Sequence, residues 1–220
     1  MSDDTESSGF KEKLVAVKQA WARAGRLLTG SPDEAHEHRL PPGQRLVTNW
    51  PVLDLGVQPS ISKAEWRLRV DGAVQTPLDW DFETLMAQPQ IEDVSDIHCV
   101  TQWSRFDNRW QGVSTQHLLA LVQPLPGASH LVLHGADGYT TNVTLENFAG
   151  EDCLLAHSHD GRPLSREHGG PVRLVIPRWY FWKSAKWLTR IEVRRDDAPG
   201  FWEVRGYHNE GDPWREQRYS

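Results

Sequence analysis

The chain is organised around one polar stretch, Asp96-Ile97-His98-Cys99-Val100-Thr101-Gln102-Trp103-Ser104. It places Cys99, one of two cysteines in the chain, in a short polar loop directly after a predicted strand, Glu92 to Cys99. Polar neighbours are an unusual setting for a core cysteine. A thiolate in such a loop is suited to act either as a nucleophile or as a soft ligand for a transition metal.

A nucleophilic cysteine needs a base beside it. His98 is adjacent in sequence, but adjacent residues of a strand point to opposite faces. The second cysteine, Cys153, enters a predicted strand in Glu151-Asp152-Cys153-Leu154-Leu155 and is interpreted as structural.

A second stretch lies about seventy residues further on, Arg166-Glu167-His168-Gly169-Gly170-Pro171-Val172-Arg173-Leu174-Val175-Ile176-Pro177. Glycines let a backbone approach a ligand closely, and arginine binds phosphate with a bidentate fork. The following run, Trp182-Lys183-Ser184-Ala185-Lys186-Trp187, adds two lysines among aromatic residues. Taken alone, the run 182–187 fits the solvated end of a hairpin. Taken together with Arg173, it predicts a pocket for a phosphate-bearing ligand with a flat ring system. The glycine spacing matches neither a Walker loop nor a dinucleotide fingerprint.

Composition predicts one domain with an aromatic core and no nucleic-acid partner. The chain has 220 residues, 11 tryptophans and a net charge of −6, which gives no field attracting nucleic acid or an anionic membrane. No apolar run reaches the length of a transmembrane helix, and the acidic N-terminus resembles no secretory leader. We therefore expect a cytoplasmic protein with two free thiols.

The N-terminal region predicts a short disordered segment, residues 1–9, followed by an amphipathic helix. Six apolar residues recur at helical spacing: Phe10, Leu14, Val17, Trp21, Ala24 and Leu28. Docking of this face on the domain or on a partner subunit is favoured over binding to a membrane surface. Gly30 is the expected stop, and residues 31–62 read as an extended, ordered connection.

Beyond residue 62, short strands outnumber short helices. Strands are predicted at 66–70, 92–99, 131–134, 139–144, 154–157, 172–176 and 188–193, and helices at 81–87, capped by Asp79 or Asp81, and at 114–122. This pattern indicates an α+β fold with mixed β-sheets. The histidine pairs His36/His38 and His157/His159 lack a zinc-site spacing and are interpreted as scattered polar residues.

The run from Leu164 to Pro177, with Lys183-Ser184-Ala185-Lys186-Trp187-Leu188 after it and Cys99, Trp103 and Trp110-Gln111-Gly112-Val113 upstream, resembles the molybdopterin-binding domain of the sulfite oxidase family. The resemblance covers roughly residues 45–195. It is closer to the compact bacterial branch, which includes the methionine sulfoxide reductase catalytic subunit, than to animal sulfite oxidase.

The resemblance implies the mixed α+β fold of that family and one molybdenum held by a single molybdopterin. Cys99 would be the only protein ligand to the metal. The positions that match cofactor-contacting positions of the family are Asn49, Trp50, Gly135, His168, Arg173, Phe181, Trp182 and Lys183. The expected organisation is a disordered N-terminus at 1–9, an N-terminal helix and extended arm at 10–44, a molybdopterin-binding domain at 45–198 and an aromatic tail at 199–220 packed on that domain.

Departures from the family leave the substrate open. After the cysteine the chain has Val100-Thr101-Gln102-Trp103 where sulfite oxidases carry an Ala-Gly-Asn-Arg type sequence, so Arg105 or Arg109 would have to replace the sulfite-binding arginine. The C-terminal immunoglobulin-like domain and a haem motif are also missing. The expected function is oxygen-atom transfer to or from a small sulfur or nitrogen oxide, with an unidentified electron-transfer partner. The alternatives are a non-catalytic molybdopterin carrier and an interaction module that uses Trp202, Tyr207 and Trp214 as its surface.

Overall fold

The structure, a computed structural model, describes residues 3–24 and 38–220. In these residues the strands are β1 (Arg45–Leu46), β2 (Arg67–Gly72), β3 (Leu78–Asp81), β4 (Gln90–His98), β5 (Trp103–Ser114), β6 (His130–Gly135), β7 (Thr140–Thr144), β8 (Leu154–His159), β9 (Arg162–Pro163), β10 (Arg173–Val175) and β11 (Leu188–Arg194). The α-helices are α1 (Asp3–Ala24), α2 (Phe82–Met86), α3 (Thr115–Val122) and α4 (Leu145–Phe148). No helix in the described ranges is long and apolar enough to cross a bilayer.

The strands form two mixed sheets. A six-stranded sheet has the order β1-β5-β8-β10, with β4 also on β5 and β9 also on β8; a five-stranded sheet has the order β3-β2-β11-β6-β7. β1 is parallel to β5 and β11 is parallel to β2, while the other pairs are antiparallel. Two mixed sheets with short helices confirm the predicted α+β class.

Helices α2 and α3 begin where side chains cap their free N–H groups; the sequence predicts the cap of α2 but not that of α3. Asp81, rather than Asp79, accepts a hydrogen bond from the Thr84 N–H at 2.7 Å. Ser114 accepts one from the Gln116 N–H at 3.2 Å. Helix α4 is not predicted, since a single turn is too short to show helical periodicity.

Strand β5, the longest strand of the six-stranded sheet, is not predicted either, and the loop that holds Cys99 is confined to residues 99–102. Asp107 and Arg109 on β5 are exposed and flank the buried Asn108. The Asn108 side-chain amide donates to the Ser95 carbonyl at 3.0 Å, so its burial is satisfied. A polar residue buried in this way is indistinguishable in sequence from a loop residue.

Helix α1 begins at Asp3 rather than at Phe10, so the prediction of disorder over residues 1–9 is wrong from Asp3 onward. Acidic residues favour a helix N-terminus because they complement the positive end of its dipole, and the first residues of α1 are acidic. The predicted stop at Gly30, with Leu28 before it, lies outside the described residues.

The apolar face predicted for α1 is not the face that packs. Val17 and Trp21 are 42% and 39% exposed, whereas Val15 is 8% exposed and belongs to the core. The helix therefore docks on the domain through the neighbouring face.

Tryptophan side chains fill the core, as the composition predicts. Trp66, Trp110 and Trp187 are at most 1% exposed. The Trp66 indole N–H donates to the Leu188 carbonyl at 2.9 Å, which ties the start of β2 to β11. A buried tryptophan removes a large apolar area from water, so these residues stabilise both sheets.

A side chain at Gly112 would push β5 and β8 apart. A Cβ there would lie 2.1 Å from the Leu155 carbonyl oxygen, a backbone atom that cannot swing aside. We expect Gly112→Ala to lower the free energy of unfolding by about 2 kcal/mol, measured by urea denaturation. The control is Gly9→Ala on α1, where no atom lies within 4 Å and alanine favours the helix. Equal stability of the two variants would contradict this account of the β5–β8 contact.

Candidate functional site

A pocket lies where loops from both sheets meet, and α1 closes one side of it. The space inside it, counted out to the open solvent at its mouth, is about 910 Å³. Its wall combines apolar, aromatic and charged side chains: Lys18, Trp50, Pro51, Leu53, Asp54, Leu55, Cys99, Val100, Thr101, Trp103, Asp137, Tyr139, His168, Arg173, Phe181, Trp182, Ser184, Lys186, Trp202 and Tyr207. The two stretches singled out in the sequence therefore meet at one cavity.

Cys99 presents a buried, protonated thiol to this pocket. It is 6% exposed, and its Sγ lies 3.1 Å from the Thr101 hydroxyl. Burial raises the pKa of Cys99, because a thiolate loses its hydration there. A metal cation would reverse that preference, since coordination deprotonates a thiol.

Hydrogen bonds hold the Cys99 loop in place. The Cys99 N–H donates to the Trp103 carbonyl at 2.8 Å, and its carbonyl accepts from the Gln44 side-chain amide at 3.1 Å. Ser104 donates to the Gln44 amide oxygen at 3.3 Å, which links the loop to β5. The sulfur is thereby fixed by the backbone around it.

His98 is not a base for Cys99. Its ring bonds to Ser104 at 2.8 Å and lies edge-on to Trp214 with ring centroids 6.3 Å apart. Burial lowers the pKa of His98 to about 4, so the ring is neutral at physiological pH. His98 therefore does not supply the base that a nucleophilic Cys99 would need.

Arg173 is a buried cation with no acidic partner in the described part of the chain. It is 2% exposed and donates to the carbonyls of His168 (2.8 Å), Leu174 (3.3 Å) and Ser184 (2.8 Å). Its guanidinium carbon also lies 4.2 Å from the Phe181 ring centroid. Desolvation alone lowers the pKa of Arg173 to about 9, so an anion in the pocket would stabilise it strongly.

Lys186 lines the pocket, and Lys183, the lysine predicted to bind the cofactor, does not. The Lys183 amine is buried against Glu203 at 2.7 Å and also donates to Asn142. The Lys186 amine donates to the Glu167 carbonyl at 2.9 Å, and burial together with Arg173 lowers its pKa to about 7. The sequence places both lysines in the run 182–187, but it does not show which of the two side chains points into the pocket.

Trp50 and His168 form a stacked pair in the pocket wall, with ring centroids 3.8 Å apart. His168 bonds to the Trp50 carbonyl through Nε2 at 3.3 Å and to the Ser165 hydroxyl through Nδ1 at 2.9 Å. Because a carbonyl only accepts, Nε2 carries the proton. Burial lowers the pKa of His168, so the ring is held neutral.

The remaining predicted contact residues divide between wall and surroundings. Phe181 and Trp182 line the pocket, whereas Asn49 is exposed and lies outside the wall. Gly135 also lies outside it, where a Cβ would come within 2.7 Å of both the Asp137 carboxylate and the Lys186 carbonyl. Gly135 thus permits the close packing that positions Lys186.

Neither arginine proposed to replace the sulfite-binding residue lines the pocket. Arg105 bonds to Asn108, to His159 at 3.0 Å and to Asp160 at 2.8 Å. Arg109 is exposed on β5. Arg105 is therefore committed to an ion pair on the six-stranded sheet.

The histidine pairs do not build a metal site in the residues described. His157 bonds to Gln90 at 2.9 Å, and His159 bonds to Arg105. Within the described ranges no three His, Cys, Asp or Glu side chains gather as metal ligands, and His36 lies outside those ranges. A metal at Cys99 would accordingly need most of its ligands from a cofactor.

Residues 55–202 match the sequence profile of the oxidoreductase molybdopterin-binding domain. The chain belongs to that family. It is 46% identical over 183 residues to the uncharacterized oxidoreductase YuiH of Bacillus subtilis. The aligned region covers 83% of this chain and 92% of that protein.

More distant relatives are longer proteins. The putative protein-methionine-sulfoxide reductase subunit YedZ1 of Azospira oryzae is 30% identical over 67% of this chain and 56% of its own length. Sulfite oxidase of Gallus gallus is 27% identical over 68% of this chain and 39% of its own. The sulfane dehydrogenase SoxCD of Paracoccus pantotrophus superposes with a TM-score of 0.60 at 23% identity, covering 77% of this chain and 54% of that one.

Family membership confirms the sulfite-oxidase-type fold, the molybdenum-bearing molybdopterin cofactor and the class of molybdopterin-dependent oxidoreductase. The pocket residues fit this cofactor. Arg173 has no acidic partner in the described ranges. The indole N–H of Trp103, in the wall beside Cys99, is buried without a hydrogen-bond partner in the same ranges. A phosphate-bearing ring system with polar edges would satisfy both groups.

The aromatic tail is part of this site rather than a docking surface. Trp202 and Tyr207 are 9% and 3% exposed and line the pocket, while Trp214 is exposed. The surface imagined for an interaction module is thus mostly buried.

Lys186 makes the stability of the cofactor-free protein depend on pH. Its folded-state pKa of about 7 lies below the ordinary 10.5, so between these values the folded state binds fewer protons than the unfolded state. Stability therefore falls as the pH is lowered from about 10 to about 7. We expect Lys186→Met to flatten this slope in urea unfolding at several pH values, and Lys13→Met, at an exposed position of α1, to retain it. An unchanged slope in Lys186→Met would refute the assignment.

Proposed function

We propose that this enzyme transfers an oxygen atom to or from a small sulfur or nitrogen oxide, with Cys99 as the only protein ligand of the molybdenum. One observation carries the proposal: a buried guanidinium that has no acidic partner among the described residues shares a pocket with the rigidly held thiol of Cys99. An anion would neutralise the buried guanidinium, and the thiol would serve as a soft ligand for a transition metal.

The cationic side of the pocket would hold the phosphate of the cofactor. Arg173 has its guanidinium fixed by the carbonyls of His168 and Ser184 before any ligand binds. Such preorganisation reduces the entropy lost on binding. Lys186 adds a second cation, and the neutral His168 adds hydrogen-bonding capacity.

Aromatic side chains would hold the flat rings. Trp50, Phe181 and Trp182 line the pocket and are at least partly buried. Their faces exclude water, which strengthens every electrostatic contact inside the site. Asn49, Gly135 and Lys183 would then support these residues from outside the wall.

When bound, the cofactor supplies two-electron oxygen-atom transfer at the metal. The chain supplies orientation and electrostatics: the Cys99 loop fixes the sulfur, and the Thr101 hydroxyl hydrogen-bonds to it at 3.1 Å. A hydrogen bond to a ligating sulfur tunes the potential of the metal. An electron-transfer partner, not identified by the chain, would return the enzyme to its starting state.

Metal content separates the roles of Cys99 and Arg173. Protein from a host that makes the cofactor is expected to hold about one molybdenum per chain by elemental analysis, as one site per domain implies. Cys99→Ser should reduce that content and change the paramagnetic resonance spectrum of the half-reduced protein, because a hard oxygen replaces a soft sulfur. Arg173→Met should lose the cofactor.

The chain offers matched controls for both variants. Cys153→Ser alters a buried thiol bonded to the Asn147 carbonyl, and Arg178→Met alters a more exposed arginine paired with Asp152 at 2.6 Å. Both should keep molybdenum. A wild-type protein without molybdenum would sink the proposal, and cofactor binding with no turnover of any oxide substrate would favour the carrier function.

A cytoplasmic location is the companion proposal. Its support is that both cysteines are free thiols, as a reducing compartment requires. Fractionation of the source cells by immunoblotting should place the protein with cytoplasmic markers. Recovery with the periplasmic or extracellular fraction would reject this location and leave the assignment of the site intact.

A further inference from the structure

Helix α1 lies outside the matched family domain and yet forms part of the pocket. Its docking face is defined by Val15, which is buried in the core, and by Gln19, whose side-chain amide donates to the Arg205 carbonyl at 3.1 Å. Arg23 extends the same contact, with its guanidinium carbon 5.6 Å from the Tyr219 ring centroid. The helix is thus attached to the C-terminal tail that lines the pocket.

The docking face brings Lys18 into the pocket wall. Residues 15, 18 and 19 share one helix face because side chains three and four apart are neighbours. Lys18 is half-buried, lines the same cavity as Cys99, and its positive charge favours the thiolate form of that cysteine.

The Lys18 amine is available for a ligand. The carboxylate whose charge acts on it most is Asp54, but the Asp54 oxygens already accept from the Gly56 N–H and the Gln58 side-chain amide, each at 2.8 Å. No ion pair joins Lys18 to any residue in the described ranges within 4.0 Å. A half-buried ammonium in this state gains more from an anion than one in water.

The other cations that line the pocket are already hydrogen-bonded to backbone carbonyls. Arg173 and Lys186 donate to carbonyls of the glycine-rich turn and its neighbours. Arg105 and Arg109, the expected replacements for a substrate-binding arginine, lie outside the wall. The Cys99 loop contains no cationic side chain. Lys18 therefore provides a positive charge in the pocket wall that it shares with Cys99.

We propose that Lys18 is a specificity-determining residue that binds a small anionic substrate beside Cys99, so that the enzyme favours oxyanions over neutral oxides of similar size. This inference rests on the proposed function, which places the reacting metal at Cys99. It makes α1 part of the substrate site, and a charge-assisted hydrogen bond supplies the selectivity.

The test compares two alkylating reagents of similar size, iodoacetate and iodoacetamide, on the cofactor-free full-length chain. Mass spectrometry of the Cys99 peptide gives the ratio of the two rates. The ratio isolates the attraction of the pocket for a small anion, because both reagents depend equally on the thiolate fraction. Losing one hydrogen bond to a charged group changes an affinity by about tenfold or more, so Lys18→Met should lower the ratio by roughly that factor.

Three comparisons guard this result. Lys18→Arg should restore the ratio, and Lys13→Met, an exposed lysine on the same helix, should leave it unchanged. Molybdenum content of Lys18→Met from a cofactor-making host should match the wild type, which separates this inference from the proposed function.

The opposing outcomes are equally specific. An unchanged ratio in Lys18→Met overturns the inference, whether or not molybdenum binds at Cys99. Loss of molybdenum in Lys18→Met assigns the lysine to the cofactor instead, and a Cys99 that neither reagent reaches shows a pocket closed to the proposed substrate. A low ratio in Lys18→Arg as well as Lys18→Met would show that α1 has undocked, and would also reject a charge-specific role.

Discussion

The site depends on one electrostatic constraint: the Arg173 guanidinium is buried, and no carboxylate among the described residues neutralises it. Removing such a charge from water costs on the order of several kcal/mol, which carbonyl acceptors offset only in part. The fold tolerates this cost because two separate segments, one at His168 and one at Ser184, direct their carbonyls at the guanidinium. The carbonyls leave part of the positive charge of Arg173 unneutralised, and a ligand that carries an anionic group would neutralise it.

The same constraint explains the arrangement of nearby charges. Glu203, from the tail, neutralises Lys183 at 2.7 Å and also accepts from Thr141 and Trp182. Arg105 is neutralised by Asp160. In the described ranges, the cations that line the pocket form no such ion pair, so the tail and the six-stranded sheet select which positive charges a ligand meets. Cys99, whose sulfur is buried, is held among them by the hydrogen bonds of its own loop.

Much of the fold was predictable because its signals are local. The Asp81 cap, the β6–β7 hairpin and the apolar strands depend on neighbouring residues. Strand β5 escaped prediction because Asn108 is buried through a hydrogen bond to Ser95, a partner on β4. The docking face of α1 escaped because its apolar stripe at Val17 and Trp21 is exposed, while contacts with the C-terminal tail hold the helix.

By itself, the sequence determined which chemistry was present: a cysteine in a polar loop, an arginine after a glycine-rich turn, and two lysines among aromatic residues. Only the tertiary structure decided which of these groups meet. Lys186 lines the pocket and Lys183 does not: Glu203, twenty residues away from Lys183, pairs with the Lys183 amine, whereas the Lys186 amine donates to the Glu167 carbonyl. Lys18 enters the wall because α1 packs on the tail, almost two hundred residues later. Such pairings depend on distances in space, which no local pattern of residues encodes.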